Sequence, residues 1–168
     1  KSVAPMPSSS RVRVYIACSL DGFIAGPDGD LSWLPGADAS PDAAPDAATD
    51  AAPPPSPRAG GLPFDAFLAE VGALLMGRAT HDAVEAFGMA SPYGDRPIMV
   101  ATHRPLSSAM TGVRAVSGSI QELVAHAKQR AEGKDVYLDG GALIRQALDA
   151  KLVDELVITL VPVLLGSG

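Results

Sequence analysis

The chain has 168 residues, 47% of them hydrophobic and 19% charged, enough for one domain with a core and too short for two comfortable ones. Thirteen Lys and Arg against nineteen Asp and Glu give a formal charge of −6, which argues against a nucleic-acid partner held by a general basic field. Cys18 is the single cysteine, His81, His103 and His126 lack metal-site spacing, and no apolar run reaches bilayer length or forms a signal peptide, so neither metal nor membrane is expected and a cytoplasmic protein fits.

Residues 1–10 show no periodicity and read as a disordered tail. Val12, Val14, Ile16, Cys18 and Leu20 alternate along a first strand that ends at Asp21-Gly22, with Cys18 expected in the core. Residues 36–61 hold nine Ala, six Pro and four Asp, a composition that reads as an extended, disordered insertion dispensable for folding. Pro63 to Val71 predicts a short helix, Ala73 to Met76 a buried strand, and Thr80 to Phe87 a helix. Strands are expected at Pro97 to Ala101 and Val113 to Val116. Ser119-Ile120-Gln121-Glu122 has the spacing of a capping box opening a helix through Arg130, with Gly133 closing it. Val136 to Leu138 is a strand, Ala142 to Leu148 a helix, and Glu155 to Leu165 a long strand whose Pro162 implies a bulge or a sheet edge. Short apolar runs alternating with amphipathic stretches make this an α/β domain.

Gly22, Gly77 and Gly140-Gly141 each join the carboxyl end of a strand to an expected helix start. In open α/β sheets ligands gather at the carboxyl ends of strands, and helix N-termini offer unpaired amides to phosphates. Glycine lets phosphate oxygens approach the backbone, and Thr80 adds a hydroxyl at one helix mouth. Neither a Rossmann fingerprint nor a P-loop motif is present.

The segments 17–25, 29–35 and 75–80, then Asp139-Gly140-Gly141-Ala142-Leu143, Leu152-Val153-Asp154-Glu155-Leu156 and Pro162 to Gly168, together resemble the dihydrofolate reductase-like superfamily. The resemblance is narrower still to stand-alone relatives of the reductase domain of the bifunctional riboflavin-biosynthesis deaminase-reductase. It implies, over residues 11–168, a three-layer α/β/α fold with a mixed, mostly parallel central sheet, from which the family's final C-terminal strands are missing. An uncovered sheet edge of that kind invites homodimer formation. The cofactor implied is NADPH. Ala17 and Ile24 would line the nicotinamide, while Gly77, Arg78 and Thr80 match the turn that receives the phosphates. Thr102 and Arg104 would read the 2′-phosphate, and Gly140 and Gly141 would pack on the pyrophosphate.

The activity implied is reduction of a small heterocycle, such as 5-amino-6-(5-phosphoribosylamino)uracil or a folate. Asp21, at the end of the first strand, is the candidate catalytic acid, its pKa expected to rise by desolvation. Trp33 and Asp65 are candidates on the substrate side. The family's folate-reducing members carry an acid just beyond a Leu-Pro pair, whereas Leu34-Pro35 is followed here by Gly36 and Ala37, with Asp38 one place late. Two other readings remain open: a module that binds the dinucleotide without turnover, and an interaction protein working through its acidic insertion.

Overall fold

The computed structural model describes residues 10–35, 61–86, 88 and 91–168. The expected tail at 1–10, apart from Ser10, and nearly all of the expected insertion at 36–61, with Asp38, lie outside the described residues. Six strands and four α-helices are described: β1 (Val12–Ser19), α1 (Phe64–Ala69), β2 (Val71–Gly77), α2 (Arg78–Ala86) and β3 (Ile98–Ala101), followed by β4 (Val113–Val116), α3 (Ile120–Arg130), β5 (Asp135–Asp139), α4 (Gly141–Asp149) and β6 (Glu155–Val161). The strands form one sheet in the order β4-β3-β2-β5-β1-β6. The pairs β4–β3, β3–β2, β2–β5 and β5–β1 are parallel, with Met76 opposite Asp139 and Gly77 opposite Ala101. Parallel pairing puts the carboxyl ends of these strands along one edge. By contact the chain divides into two compact units, Lys1–Ile16 with Phe64–Ile158, and Ala17–Pro63 with Thr159–Gly168.

In the first unit the period-2 alternation sorts side chains onto two faces. Val12, Val14, Ala73, Leu75, Met99, Val136 and Leu138 share a core with Leu123, Val124 and Ala127 of α3 and Leu143, Ile144 and Ala147 of α4. On the other face Phe67 of α1 packs its ring 5.0 Å from Tyr15 and 5.1 Å from Tyr137, so helices cover both sides in an α/β/α arrangement. The capping box of α3 forms as its spacing predicts, Glu122 N donating to Ser119 Oγ and Ser119 N to Glu122 Oε2.

Four features depart from the sequence reading. The first helix stops at Ala69, because Val71 is needed in β2, where it is buried. Gly22 leads into a turn and the single 3-10 turn Pro27–Gly29 instead of an α-helix. The last strand ends at Val161, ahead of Pro162, whose missing N–H cannot extend a ladder. Cys18 is only half-buried, and Leu20 is 58% exposed, since the chain is already turning there.

Arg13 was not foreseen as an inward-facing residue. Its side chain is 3% exposed, paired with Glu70 and Glu155, 3.4 Å from Asp135, and laid over the Phe67 ring at 4.7 Å. Arg11 adds a 2.7 Å bond to Asp135 from a side chain that is 49% exposed. Burial alone would raise the Asp135 pKa, but the Arg11 side-chain and backbone hydrogen bonds outweigh it and hold the carboxyl ionised. Removing one partner of a buried ionic network strands the others, so Arg13→Ala is expected to lose about 3 kcal/mol of stability. Arg11→Ala, on the solvent side, should lose clearly less. Urea melts of both variants check the ranking, and equal losses would show that Arg13 is not the centre of the network.

Candidate functional site

The carboxyl ends of β2, β3, β4 and β5 open onto a cleft of about 300 Å³ in the first unit. Its lining includes Gly77, Arg78 and Thr80 from the start of α2, Thr102 and His103 after β3, Ser117 and Gly118 after β4, and Gly140 and Gly141 at the start of α4. Five of the sequence candidates for phosphate binding and Thr102 therefore meet on one surface. Arg104, one residue past His103, is exposed.

The cleft is shaped by the close approach of the β2 and β5 ends. Gly140 has φ +98°, and a Cβ there would lie 2.8 Å from Thr80 Oγ1 and 3.2 Å from the Gly77 amide nitrogen. Only glycine satisfies both the backbone angle and the space. Gly140 is also the N-cap of α4 and makes no side-chain cap, so the first-turn amides of that helix are left for an outside acceptor. α3 differs, its first turn being closed by Glu122. The starts of α2 and α4 converging on one cleft, that of α4 without a side-chain cap, make a site for an anion with several oxygens.

The Arg78 guanidinium does not point freely at that site. Its Nε donates to Asp82 at 2.7 Å and its Nη1 to the Pro105 carbonyl at 2.9 Å. The i,i+4 pairing with Asp82 engages the charge, so Arg78 meets the cleft with its guanidinium already bonded. Beyond β3, Thr102 N donates to the Val116 carbonyl, while Thr102 Oγ1 accepts from Arg104 N at 3.1 Å, turning the chain at the cleft's edge.

The remaining candidates belong elsewhere. Asp65 is exposed in the first turn of α1. Ala17, Asp21, Ile24 and Trp33 belong to the second unit. There Ala17, Ile24 and Trp33 are half-buried, and Trp33 donates its Nε1–H to the Asp30 carbonyl. Asp21 accepts from Ser19 Oγ at 2.6 Å, Gly166 N at 2.7 Å and Leu165 N at 3.1 Å. These donors, Ser19 first, pull its pKa down to about 2. The expectation that desolvation would raise it is overturned: the carboxylate is exposed and held by three donors, Leu165 N reaching both oxygens. A group ionised so firmly anchors the 165–166 segment and is a poor proton donor.

The carboxyl that burial does push up is Asp139, at the end of β5, which no sequence signal singled out as an acid. It accepts from Gly140 N at 2.8 Å. The Tyr137 hydroxyl lies 3.0 Å from the Tyr15 carbonyl and 3.3 Å from Asp139 Oδ2. Burial outweighs the Gly140 and Tyr137 bonds, which favour the charged form, and raises the Asp139 pKa. Among the described residues no group of three or more metal-ligating side chains is assembled, and no helix is long and apolar enough to cross a membrane.

Comparison with known proteins places these features in a family. The family model of the RibD C-terminal domain matches residues 92–168. The chain is 30% identical over 156 residues to the protein YwjB of Bacillus subtilis (strain 168), covering 92% of this chain and 78% of YwjB. The crystal structure of a putative riboflavin biosynthesis protein from Shewanella sp. PV-4 is 33% identical and superposes with a TM-score of 0.70, covering 94% of this chain and 80% of that one. Dihydrofolate reductase from Enterococcus faecalis, complexed with NADP(H) and RAB-propyl, shares the fold at 18% identity and a TM-score of 0.58, with 95% and 76% covered.

The two strand-end carboxyls predict opposite pH signatures. Asp21 has a folded pKa of about 2 against an ordinary 3.8, so the stability it contributes is present above pH 3.8 and is lost as pH falls towards 2. Asp21→Asn should therefore lower Tm at neutral pH, the deficit closing on acidification. Asp139 has a raised folded pKa, so its ionisation opposes folding as pH climbs above 3.8, and Asp139→Asn should gain Tm over the wild type at alkaline pH while matching it at the acid end. Thermal melts across pH check both signs.

Proposed function

Since the chain belongs to the RibD C-terminal domain family, within the dihydrofolate reductase-like superfamily, we propose that it is an NADPH-dependent reductase acting on a small heterocycle of the ribosylaminopyrimidine class. The observation that carries this reading is the cleft at Gly140, where the starts of α2 and α4, each led by a glycine, face one space and that of α4 has no side-chain cap. Such a cradle fits a pyrophosphate, whose oxygens need backbone amides at close range. Bound NADPH supplies the hydride. Gly140, its own amide donated to Asp139, packs against the phosphates; the amides at Gly77 and Gly141 and the Thr80 hydroxyl hold them, and Thr102 and Arg104 take the 2′-phosphate, where a guanidinium matches a phosphate dianion better than a hydroxyl. Ala17 and Ile24 are assigned to the nicotinamide, and Trp33 and Asp65 to the substrate side.

Asp139 replaces Asp21 as the group able to keep a proton for the reduced product, because burial favours its neutral form. Asp21 then serves turnover only by fixing the loop after β1 against residues 165–166. A second reading, dinucleotide binding without turnover, is favoured by that same commitment of Asp21. A homodimer is proposed as well, supported by β6 at the sheet edge with Leu156 41% and Ile158 47% exposed; light scattering reads it directly.

Titration with NADPH and NADH tests the assignment. The wild type is expected to prefer NADPH, and Arg104→Ala to weaken NADPH roughly tenfold, the size of one charge-assisted contact, with NADH unchanged. Equal affinities for the two dinucleotides would remove the 2′-phosphate subsite. Loss of NADPH absorbance with a ribosylaminopyrimidine present separates the reductase from the binding module.

A further inference from the structure

One face of α2 carries Arg78, His81, Asp82 and Glu85, at the i, i+3, i+4 and i+7 positions, and all four are engaged. Three of them reach the segment that leaves the cleft after Arg104. Arg78 Nη1 donates to the Pro105 carbonyl at 2.9 Å. His81, fully buried, places Nε2 3.1 Å from Ser108 Oγ, with Nδ1 3.1 Å from Asp82 Oδ1. Glu85 Oε1 accepts from Ala109 N at 2.6 Å.

Ser108, His81 and Asp82 have the composition of a nucleophilic triad, and the hydrogen bonds exclude that role. The Ser108 oxygen accepts from Met110 N at 3.2 Å, which ties it to its own segment. The neighbouring amide that would receive an oxyanion, Ala109 N, is already bonded to Glu85. The cluster is a clasp, and it holds the chain running from Thr102 to Ala109. At the near end Thr102 is fixed to β4 through the Val116 carbonyl. At the far end the segment is fixed to α2, and Arg104 lies exposed between the two anchors.

We propose that Ser108 and His81 are positioning residues for cofactor selectivity: by clasping residues 105–109 to α2 they fix the path of the chain at Arg104, and so where its guanidinium stands for a 2′-phosphate. This rests on the NADPH reading of the cleft. Asp82 and Glu85 complete the clasp as ionised partners, each with a pKa lowered by its bond, from His81 and from Ala109 N respectively. A loop with one anchor released samples more conformations, and a charge-assisted contact made from it costs more ordering on binding.

The test compares ligands with and without the 2′-phosphate. Ser108→Ala should weaken NADPH and adenosine 2′,5′-bisphosphate roughly 5- to 10-fold, the worth of about one hydrogen bond, while NADH and AMP stay within about twofold. Ser108→Thr, which keeps the hydroxyl, should restore NADPH affinity. In an Arg104→Ala background Ser108→Ala should have no further effect on NADPH, because the clasp acts through that guanidinium. His81→Gln, which retains an amide donor for Ser108, is expected to follow the wild type. Equal weakening of NADPH and NADH by Ser108→Ala, no weakening of either, or full additivity with Arg104→Ala overturns the clasp alone. A wild type that binds neither dinucleotide overturns the reading of the cleft, and the clasp with it.

Discussion

The constraint on which the cleft depends is the contact between the ends of β2 and β5, where Gly140 at φ +98° leaves no room for a Cβ against Thr80 and Gly77. Two helices begin at that contact, one from each strand, and their first turns face the same cleft only because the two chain segments meet without a side chain between them. A residue other than glycine would separate Thr80 from Gly140 and divide one anion cradle into two weaker helix ends. The neighbouring helix α3 makes the contrast useful, since its own Glu122 occupies the position an anion would take. Capping is thus present where the fold needs only a helix and absent where the cleft needs amides.

The opposite ends of the same strands are fixed differently. Arg13 gathers Glu70, Asp135 and Glu155 from three other places in the chain, around a guanidinium covered by Phe67. An ammonium could not present donors in several directions within one plane or lie flat on the ring. Burying this network gains little net energy, since desolvation offsets the attraction. Its effect is to make a wrong register costly, because a one-residue slip of β1 would put Arg13 in the aliphatic core and Val12 or Val14 among the carboxylates. The strands are held at one edge by charge, and this leaves the other edge free to diverge around a ligand.

Much of this was legible where the signal is local. The Ser119–Glu122 box, the glycines at the ends of β2 and β5 and the apolar runs of β2 and β5 each depend on residues close in sequence, and each formed at its expected place. The misreadings depend on distant partners. Arg13 occupies a polar slot in an apolar-alternating strand, so sequence places it in water, and only Glu70 and Asp135, 57 and 122 residues away, bring it inside. Asp21 followed a strand as a turn residue does, and its ionisation is favoured by Ser19 nearby and then by amides 144 and 145 residues further on. Arg78 fits a phosphate turn by motif, but its side chain is claimed by Asp82, four residues along the same helix. That last competition is local and was readable from i,i+4 spacing alone.

Asp21 and Asp139 each end a strand and each precede a glycine, so pattern alone gives them one role. Their surroundings give them opposite ones. Donors converge on Asp21 in an exposed turn and stabilise its charge, whereas Asp139 has one amide, one phenol already facing a carbonyl, and a partly buried place at the end of β5. Environment thus drives the two carboxyls apart, holding Asp21 charged and favouring the neutral form of Asp139. An acid chosen by position alone falls on Asp21; an acid chosen by what surrounds its oxygens falls on Asp139, directly before the glycine on which the cleft is built.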